Sequence, residues 1–210
     1  MKVYVVGGDI EYVNFIKDVE LVNNVKDADL VVFTGGEDVT PSFYGCEAHL
    51  STYNNPDRDK YEKEIFDQID PVKQVCYGCC RGSQFLCVMN GGLLVQNVNR
   101  HAIGKTHAIT DGKKMFQITS THHQMQYPFN LKRRVDYAIL YTMAEVHSTI
   151  YEGDKIDRDI VWGNDPEIVL YHVKNKPKCL AVQGHPEMIP ESPVAEMIND
   201  LIQNLVNERN

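Results

Sequence analysis

Three cysteines lie close together in the stretch QVCYGCCRGSQ (residues 74–84), and a cysteine thiolate is an intrinsically strong nucleophile. Within it, GCCRG (residues 78–82) fits the pattern G-x-C-x-G. Between a strand and a helix this pattern predicts a nucleophile elbow, a turn so tight that glycine is needed two residues before and two residues after the nucleophile. With Cys79 at the centre, those positions would hold tyrosine and arginine. The spacing therefore favours Cys80 as the nucleophile.

The cysteines also allow other interpretations. A free cysteine commonly packs as a small buried apolar residue, and we expect this of Cys76 in the strand and of Cys79 in the turn. A metal or redox pair made by Cys76 and Cys79 would need further ligands at similar spacing, and the sequence offers none. Cys80 differs because it would lie at a helix N-terminus, where the helix dipole favours a thiolate.

A thiol nucleophile needs a base, and the base needs a group that orients it. The buried run LAVQ (residues 180–183) is followed by GHPE, so His185 lies just beyond a strand end. Glu187 follows two residues later, where it could accept a hydrogen bond from the second ring nitrogen. His-Pro-Glu alone is compatible with an ordinary loop, but beside the elbow it indicates a triad of Cys80, His185 and Glu187.

Strand-like and helix-like segments alternate along the chain and must position these residues. Buried strands are predicted at residues 3–6, 30–34, 74–77 and 180–183, and the region 113–173 is rich in strands. Helices are predicted at residues 11–19, 55–66 and 83–89, and from Ser192-Pro193 onward, where an apolar stripe has helical spacing. The alternation predicts an α/β fold with three layers, a mostly parallel central sheet covered by helices on both faces. Reactive groups gather at the carboxyl ends of the strands in such sheets.

The composition limits the function. A net charge of −8 argues against a phosphate-binding surface, so we expect no nucleic-acid partner. No apolar run approaches the roughly 18 residues that cross a membrane, and the start MKVYVVGGDIEYV lacks the features of a secretory signal. We therefore expect a single cytoplasmic domain over residues 1–210, with its six cysteines as free thiols.

The elbow followed by His-Pro-Glu resembles the motif pair of class I glutamine amidotransferases and their hydrolase relatives. Four further stretches resemble the γ-glutamyl hydrolase branch of that superfamily, the peptidase C26 type, which includes the hydrolase of γ-glutamyl-γ-aminobutyrate. They are FTGGEDVTPSFYG (33–45), NPDRDKYE (55–62), CCRGSQFLCVMNGGLL (79–94) and ITSTHHQ (118–124). The resemblance covers most of residues 30–190 in the expected order and implies the flavodoxin-like, three-layer fold of that superfamily.

The resemblance assigns catalytic roles by position. Cys80 would attack the γ-carbonyl of a γ-glutamyl group and form a thioester. His185 would carry the proton from the thiol to the leaving amine, and Glu187 would hold the imidazole. Backbone N–H groups would bind the oxyanion of the tetrahedral intermediate. The residues implied for this oxyanion hole are Gly35, Gly36 and Arg81.

The resemblance also implies a set of substrate-binding residues. These match the positions that hold the α-amino and α-carboxylate groups of the glutamyl substrate, and they are Gln84, Ser120, Thr121 and His122. A zwitterion needs a few polar partners aimed at both of its ends, which agrees with this set. His122 is equally compatible with a structural histidine. The acidic and basic residues of the segment 57–62 are interpreted as a charged helix start without a catalytic role.

The sequence departs from the family pattern in two regions. Gly184 stands where relatives usually carry a bulky aromatic residue, which predicts a more open site or a looser base. The segment between Val6 and Asp29 is short for the usual β-α-β unit, so the sheet is expected to lack an element at that edge.

Two activities share such a triad. One is a stand-alone γ-glutamyl hydrolase, which the hydrolase-branch motifs favour, and the other is a glutaminase subunit that supplies ammonia to a separate synthase. A catalytically silent binding module on this fold is a third interpretation, and the intact Cys80, His185 and Glu187 argue against it. We expect no cofactor, no metal ion and no membrane partner. The expected ligand is glutamine or a small γ-glutamyl compound, and the sequence leaves a homo-oligomer open.

Overall fold

The computed structural model describes residues 1–208. Within them the strands are β1 (Lys2–Val5), β2 (Glu20–Leu21), β3 (Leu30–Phe33), β4 (Val75–Cys79), β5 (Leu93–Val95), β6 (Asn97–Val98), β7 (Ala102–Thr110), β8 (Met115–Thr121), β9 (Met125–Tyr127), β10 (Tyr137–Met143), β11 (Tyr151–Glu152), β12 (Pro166–Tyr171) and β13 (Cys179–Val182). The α-helices are α1 (Pro56–Phe66), α2 (Arg81–Met89), α3 (Arg158–Val161) and α4 (Pro193–Asn207).

A nine-stranded sheet forms the centre of this part of the chain, in the order β2-β1-β3-β4-β13-β12-β10-β7-β8. The strands from β2 to β13 pair in parallel, and those from β13 to β8 pair antiparallel. The antiparallel half comes from the region that the sequence marks as rich in strands. The predicted α/β fold with a mostly parallel central sheet is confirmed, and the elbow and the histidine loop follow its neighbouring central strands β4 and β13.

Each face of the sheet packs against helices. In β3, Leu30 and Val32 face the core formed with α4, whereas Val31 and Phe33 face the core formed with α1 and α2. This alternation is the period of two that a strand imposes on its side chains. Helix α4 begins where the sequence predicts, with the hydroxyl of Ser192 capping it, and its apolar stripe is core packing.

The N-terminal edge differs from the prediction. The helix predicted at residues 11–19 is wrong, because only the 3₁₀ turn Ile10–Val13 forms there. The chain must return to the sheet by residue 20, and Asp18 reverses it in a left-handed conformation (φ 56°). The edge nevertheless keeps a strand, since β2 pairs in parallel with β1. A turn thus replaces the helix of the usual β-α-β unit.

None of the helices within residues 1–208 combines the length and the apolar character needed to cross a lipid bilayer.

Candidate active site

The turn between β4 and α2 has the geometry of a nucleophile elbow. Cys80 links the two elements in a strained conformation (φ 51°, ψ −112°), and its N–H donates to the carbonyl of Val182 at 2.8 Å. A Cβ atom on Gly78 would lie 2.5 Å from the carbonyl oxygen of Gly82, and one on Gly82 would lie 2.0 Å from the carbonyl oxygen of Phe33. Both glycines are therefore required by close backbone approach. Helix α2 begins at Arg81, two residues earlier than predicted.

The side chain of the neighbouring Cys79 points toward the histidine loop, with its Sγ atom 3.6 Å from Nδ1 of His185. Its side chain is fully buried, whereas that of Cys80 is partly exposed. The Sγ atom of Cys79 lies 3.4 Å from Oε2 of Glu187 and 3.3 Å from the carbonyl oxygen of Gly184. Burial raises the pKa of the Cys79 thiol well above its usual range. Cys79 is therefore a protonated thiol packed beneath the histidine loop.

His185 follows β13 and is held from two sides. Its N–H donates to Oγ1 of Thr119 at 2.6 Å, and its Nδ1 lies 2.6 Å from Oε1 of Glu187. Glu187 belongs to the 3₁₀ turn Pro186–Met188, which returns its carboxylate toward the ring. Because Glu187 engages Nδ1, the Nε2 atom is left for a reacting partner.

The charges around His185 favour its protonated form. Burial opposes the charge, but hydrogen bonds with Cys79, Cys80 and Glu187 outweigh it and raise the pKa of His185 well above its ordinary range. The N–H of Cys80 donates to the carbonyl of Val182, three residues before His185, which brings the candidate nucleophile and its base to neighbouring strand ends. The arrangement suits a thiolate paired with an imidazolium, the form in which a cysteine nucleophile is activated.

Gly184 does not open the site, contrary to the prediction. A Cβ atom on it would lie 2.5 Å from Cγ1 of Ile118 and 2.7 Å from the carbonyl oxygen of Thr119. Strand β8 therefore occupies the space that an aromatic side chain would need. The close approach lets Thr119 reach the backbone of His185, so the glycine helps to tighten the base.

The glycine loop after β3 lies beside the histidine. A Cβ atom on Gly35 would lie 3.1 Å from Cε1 of His185 and 2.7 Å from the hydroxyl of Tyr12. Gly36 has φ 139°, and the guanidinium of Arg58 fills the space on which its Cβ would project. Arg58 also donates to the carbonyl of Gly35 at 2.8 Å, so it braces the loop. A cavity of about 340 Å³ opens here, lined in part by Tyr12, Gly35 and Arg58.

Two acidic side chains of the charged start of α1 are buried, whereas Pro56 and Asp57 before them are exposed. Asp59 and Glu62 are each no more than 2% exposed to solvent, and each pairs with the guanidinium of Arg81. Arg58 adds a 2.8 Å bond from Nε to Oε1 of Glu62. The segment therefore ties α1 to the first residue of α2. The R-D-x-x-E spacing, which puts these side chains on one helix face, is the signal in the sequence that points to this role.

The predicted substrate-binding residues are spread over two environments. Gln84 donates to the carbonyl of Gln124 at 3.0 Å, and its own Oε1 has no hydrogen-bond partner. Thr121 is exposed. Ser120 and His122 are buried, and their side chains bond to the carbonyls of His101 and Gln124. Their role in substrate binding stays a prediction.

Burial sets the charge of the histidines behind Ser120. It lowers the pKa of His122 to about 3, so this imidazole is neutral. For His101, burial is outweighed by the hydrogen bond to Asp165 and by the nearby carboxylate of Glu167, which raise its pKa to about 9. Burial also opposes the charge of Glu167, but the surrounding histidines overcome it and hold its pKa well below the usual range.

Two groups of side chains within residues 1–208 have metal-ligating atoms within 4.8 Å of one another. The first is Cys79 with His185 and Glu187, where the proton chemistry described above already uses the donors. The second is His101 with His107 and Glu167. His107 lies in β7, His101 immediately precedes it and Glu167 lies in β12, and the group contains none of the candidate catalytic residues.

A family model described as Peptidase C26 matches residues 7–187, which include the elbow, the glycine loop and the histidine loop. The chain belongs to the peptidase C26 family. Its curated relative YvdE from Lactococcus lactis subsp. lactis (strain IL1403), described as glutamine amidotransferase-like, is 31% identical over 165 residues. That match covers 75% of this chain and 65% of the relative, so the peptidase C26 chain spans slightly less than two thirds of it.

Solved structures agree with the fold of this peptidase C26 chain. A protein from Thermoplasma acidophilum described as part of a GMP synthase superimposes with a TM-score of 0.59 at 16% identity, over 99% of this chain and 92% of that one. A glutamine amidotransferase from Thermotoga maritima superimposes with a TM-score of 0.52 at 14% identity, and the match covers 100% of this chain and 90% of that one. At these identities the two structures show a shared fold.

Proposed function

We propose that the protein hydrolyses a γ-glutamyl amide bond through a Cys80–His185–Glu187 triad and a γ-glutamyl thioester. One observation carries the proposal: the partly exposed Cys80 follows β4, and the adjacent strand β13 leads into His185, whose Nδ1 lies 2.6 Å from Oε1 of Glu187. The order of nucleophile, base and orienting carboxylate is that of a catalytic triad. Membership of the peptidase C26 family supports it.

In the acylation step the Cys80 thiolate attacks the γ-carbonyl carbon, and the imidazolium of His185 gives its proton to the leaving amine. Water then attacks the thioester and His185 takes a proton from it, which releases glutamate and regenerates the thiolate of Cys80 beside the imidazolium. The oxyanion of each tetrahedral intermediate accepts hydrogen bonds from the N–H of Arg81 and from that of Gly36 or Gly35. The N–H of Arg81 is free of intrahelical bonds because it opens α2.

The leaving amine has a place to lie in the cavity beside Gly35. Its lining includes Tyr12, Arg58 and Tyr61. Such a mixed lining suits a polar amine attached to a short carbon chain. This cavity favours a γ-glutamyl amide larger than glutamine, and hence a stand-alone hydrolase. All six cysteines are free thiols, which supports a reducing compartment such as the cytoplasm.

The alternative is a glutaminase that supplies ammonia to a separate synthase. The solved structures similar to this chain include the GMP synthase protein named above and the glutaminase domain of a Trypanosoma brucei CTPS. These likenesses lie at 10–16% identity and concern those proteins. A synthase partner is therefore the second candidate.

Steady-state hydrolysis of glutamine and of a panel of γ-glutamyl amides separates these activities. Cys80→Ala is the test variant and Cys79→Ala is its matched control, because the two thiols are adjacent and differ in orientation. We expect Cys80→Ala to lower kcat on the order of 10⁴-fold or more. We expect Cys79→Ala to stay within about tenfold of the unmodified protein, since it removes a contact with His185 and Glu187 but no reacting atom.

Each outcome decides between named functions. Turnover of one bulky γ-glutamyl amide that depends on Cys80 establishes the hydrolase. Slow, Cys80-dependent release of ammonia from glutamine alone establishes the glutaminase that serves a synthase. Turnover that survives Cys80→Ala and is lost in Cys79→Ala overturns the assignment of the nucleophile.

A further inference from the structure

A buried group of three histidines and a glutamate lies behind strand β8 and has no part in the proposed hydrolysis. It consists of His101, His107, His122 and Glu167, which we call the histidine cluster. All four side chains are at least 94% buried. A single neutral histidine can be buried at little cost. Here three histidines surround one carboxylate, and the carboxylate of Asp165 lies beside them. Burying all of these groups requires that their charges and hydrogen bonds be balanced.

The ligating atoms of the cluster converge on one point. Oε1 of Glu167 lies 3.1 Å from Nε2 of His107, 3.3 Å from Nδ1 of His101 and 3.8 Å from Nε2 of His122. Ligands bound at about 2.0–2.1 Å to a tetrahedral zinc ion lie about 3.3 Å from one another. His107 and His101 match this spacing from Glu167, and the ligating atoms of these three residues all lie within 4.8 Å of one another, whereas Nε2 of His122 lies somewhat farther out.

Hydrogen bonds outside the cluster fix which nitrogen of two rings faces inward. Nδ1 of His122 donates to the carbonyl of Gln124 at 2.9 Å, so in the neutral ring the lone pair belongs to the inward Nε2. Nε2 of His101 lies 3.0 Å from Oδ2 of Asp165, which leaves Nδ1 facing Glu167. A histidine that ligates a metal commonly donates its other N–H to a carboxylate or a backbone carbonyl in this way.

The outer carboxylate is itself anchored. Asp165 accepts from the hydroxyl of Tyr151 and, at 2.8 Å, from the N–H of Ser148. These bonds hold its second oxygen for His101. Asp165 thus orients the ring of His101, and the ring in turn presents Nδ1 to Glu167.

The inward atoms lack hydrogen-bond partners of suitable geometry. Among the buried polar atoms without one are Nε2 of His107, Nδ1 of His101, Nε2 of His122 and Oε1 of Glu167. A buried polar group left unsatisfied costs the protein its full desolvation penalty, and here several such groups point at the same place. A cation that accepts lone pairs from all four residues satisfies them together.

We propose that His101, His107, His122 and Glu167 bind one zinc ion in a closed, four-coordinate structural site. Zinc matches three imidazole nitrogens and one carboxylate oxygen in a tetrahedron. Its two positive charges equal the two negative charges of Glu167 and Asp165 when the three rings are neutral. The expectation from the sequence that no metal is bound considers only closely spaced cysteines, and these ligands come from residues far apart in the chain.

The position of this zinc site suggests what it does. It joins the hairpin of β7 and β8 to β12, and Thr119 of β8 holds the backbone of His185. Glu167 also accepts, through its carbonyl, from the N–H of Gln183 at 2.8 Å, two residues before His185. The ion would therefore fix the wall against which the candidate base rests, without touching the substrate. This inference does not depend on the identity of the reaction.

The test is the metal content of the full chain, purified without a histidine tag and measured by inductively coupled plasma mass spectrometry. We expect close to one zinc per chain. We expect His107→Ala and Glu167→Gln to lose it, and His123→Ala to keep it, because His123 is a half-exposed neighbour that pairs with Asp38 outside the cluster. Cys79→Ala should also keep the metal, which separates this site from the other group of possible ligands.

A second measurement on the unmodified protein covers the case in which the variants do not fold. Removal of metal by a chelator should lower Tm, and zinc but not magnesium should restore it. Cobalt loaded in place of zinc should show visible d–d absorption without a thiolate-to-cobalt charge-transfer band. Purified protein that holds no stoichiometric transition metal and whose Tm is unaffected by chelator and zinc would overturn the proposal, as would a cobalt spectrum with a thiolate band.

Discussion

At the scale of single residues, two adjacent cysteines have opposite properties because the elbow turns between them. Cys79 ends a strand and is fully buried, whereas Cys80 occupies a left-handed position at the start of a helix and is partly exposed. The strain of that position is tolerated because Gly78 and Gly82 allow close backbone approach on both sides. Local geometry, more than residue type, thus decides which thiol can react.

The charge on His185 gives a prediction for alkylation of Cys80 by iodoacetamide. The raised pKa of His185 keeps its ring cationic at and below neutral pH, so its positive charge is present throughout this range. The alkylation rate should therefore fall less between about pH 8 and about pH 6 than it does in His185→Ala. At neutral pH the variant should react at least about tenfold more slowly.

Tyr12→Phe is the control for this experiment, since it keeps the ring packed about 6.1 Å from His185 and removes only its hydroxyl. Its pH dependence should match that of the unmodified protein. Equal pH dependence in the unmodified protein and in His185→Ala would contradict an ion pair between Cys80 and His185.

At the scale of the elements, strand β8 and the helix pair α1–α2 position the site. Strand β8 lies directly against Gly184 and supports His185 through Thr119. On the other side, Arg81 at the start of α2 pairs with two buried carboxylates of α1. The base and the elbow are therefore each held by a contact between elements that are distant in sequence.

Gly184→Ala tests the contact with β8. The added methyl group meets the side chain of Ile118 and the backbone carbonyl of Thr119, so we expect a loss of about 1–3 kcal/mol in the free energy of unfolding. Urea denaturation measures this loss. Adding Ile118→Val should recover part of it, and only part, because the backbone contact remains. A fully stable Gly184→Ala protein would show that the site is open at this position after all.

Arg81→Met tests the joint between the helices. It leaves Asp59 and Glu62 as buried charges without their main partner, so we expect a loss of roughly 3–5 kcal/mol in the free energy of unfolding. Lys60→Met is the matched control, because its pair with Asp57 is exposed. It should change the same quantity by no more than about 0.5 kcal/mol. Similar losses in the two variants would contradict the structural role of the buried pair.

At the scale of the whole molecule, the two cores share one sheet. Alternate residues of the same strands contribute to both, so neither core can form without the other. We expect one calorimetric unfolding transition with equal calorimetric and van't Hoff enthalpies, near 0.7 kcal/mol per residue at about 60 °C. Two resolved transitions would contradict the prediction of a single domain over residues 1–210.

The sequence predicts the parts of the structure that depend on neighbours in the chain. The elbow needs only GCCRG between a strand and a helix, and the cap of α4 needs only Ser192 and Pro193. The prediction of an N-terminal helix is wrong because local apolar spacing carries no sign that the chain must turn back at Asp18. The ion pairs of Arg81 and the histidine cluster escape prediction because their partners meet only when distant strands and helices pack.

Trapping of the acyl-enzyme tests the central claim most directly. The protein would be acid-quenched during turnover of a γ-glutamyl amide, and the peptide containing both Cys79 and Cys80 would be sequenced by tandem mass spectrometry. We predict the mass of one γ-glutamyl group on Cys80, and none in Cys80→Ala. A γ-glutamyl group on Cys79, or turnover by Cys80→Ala, would contradict the assignment of Cys80 as the nucleophile.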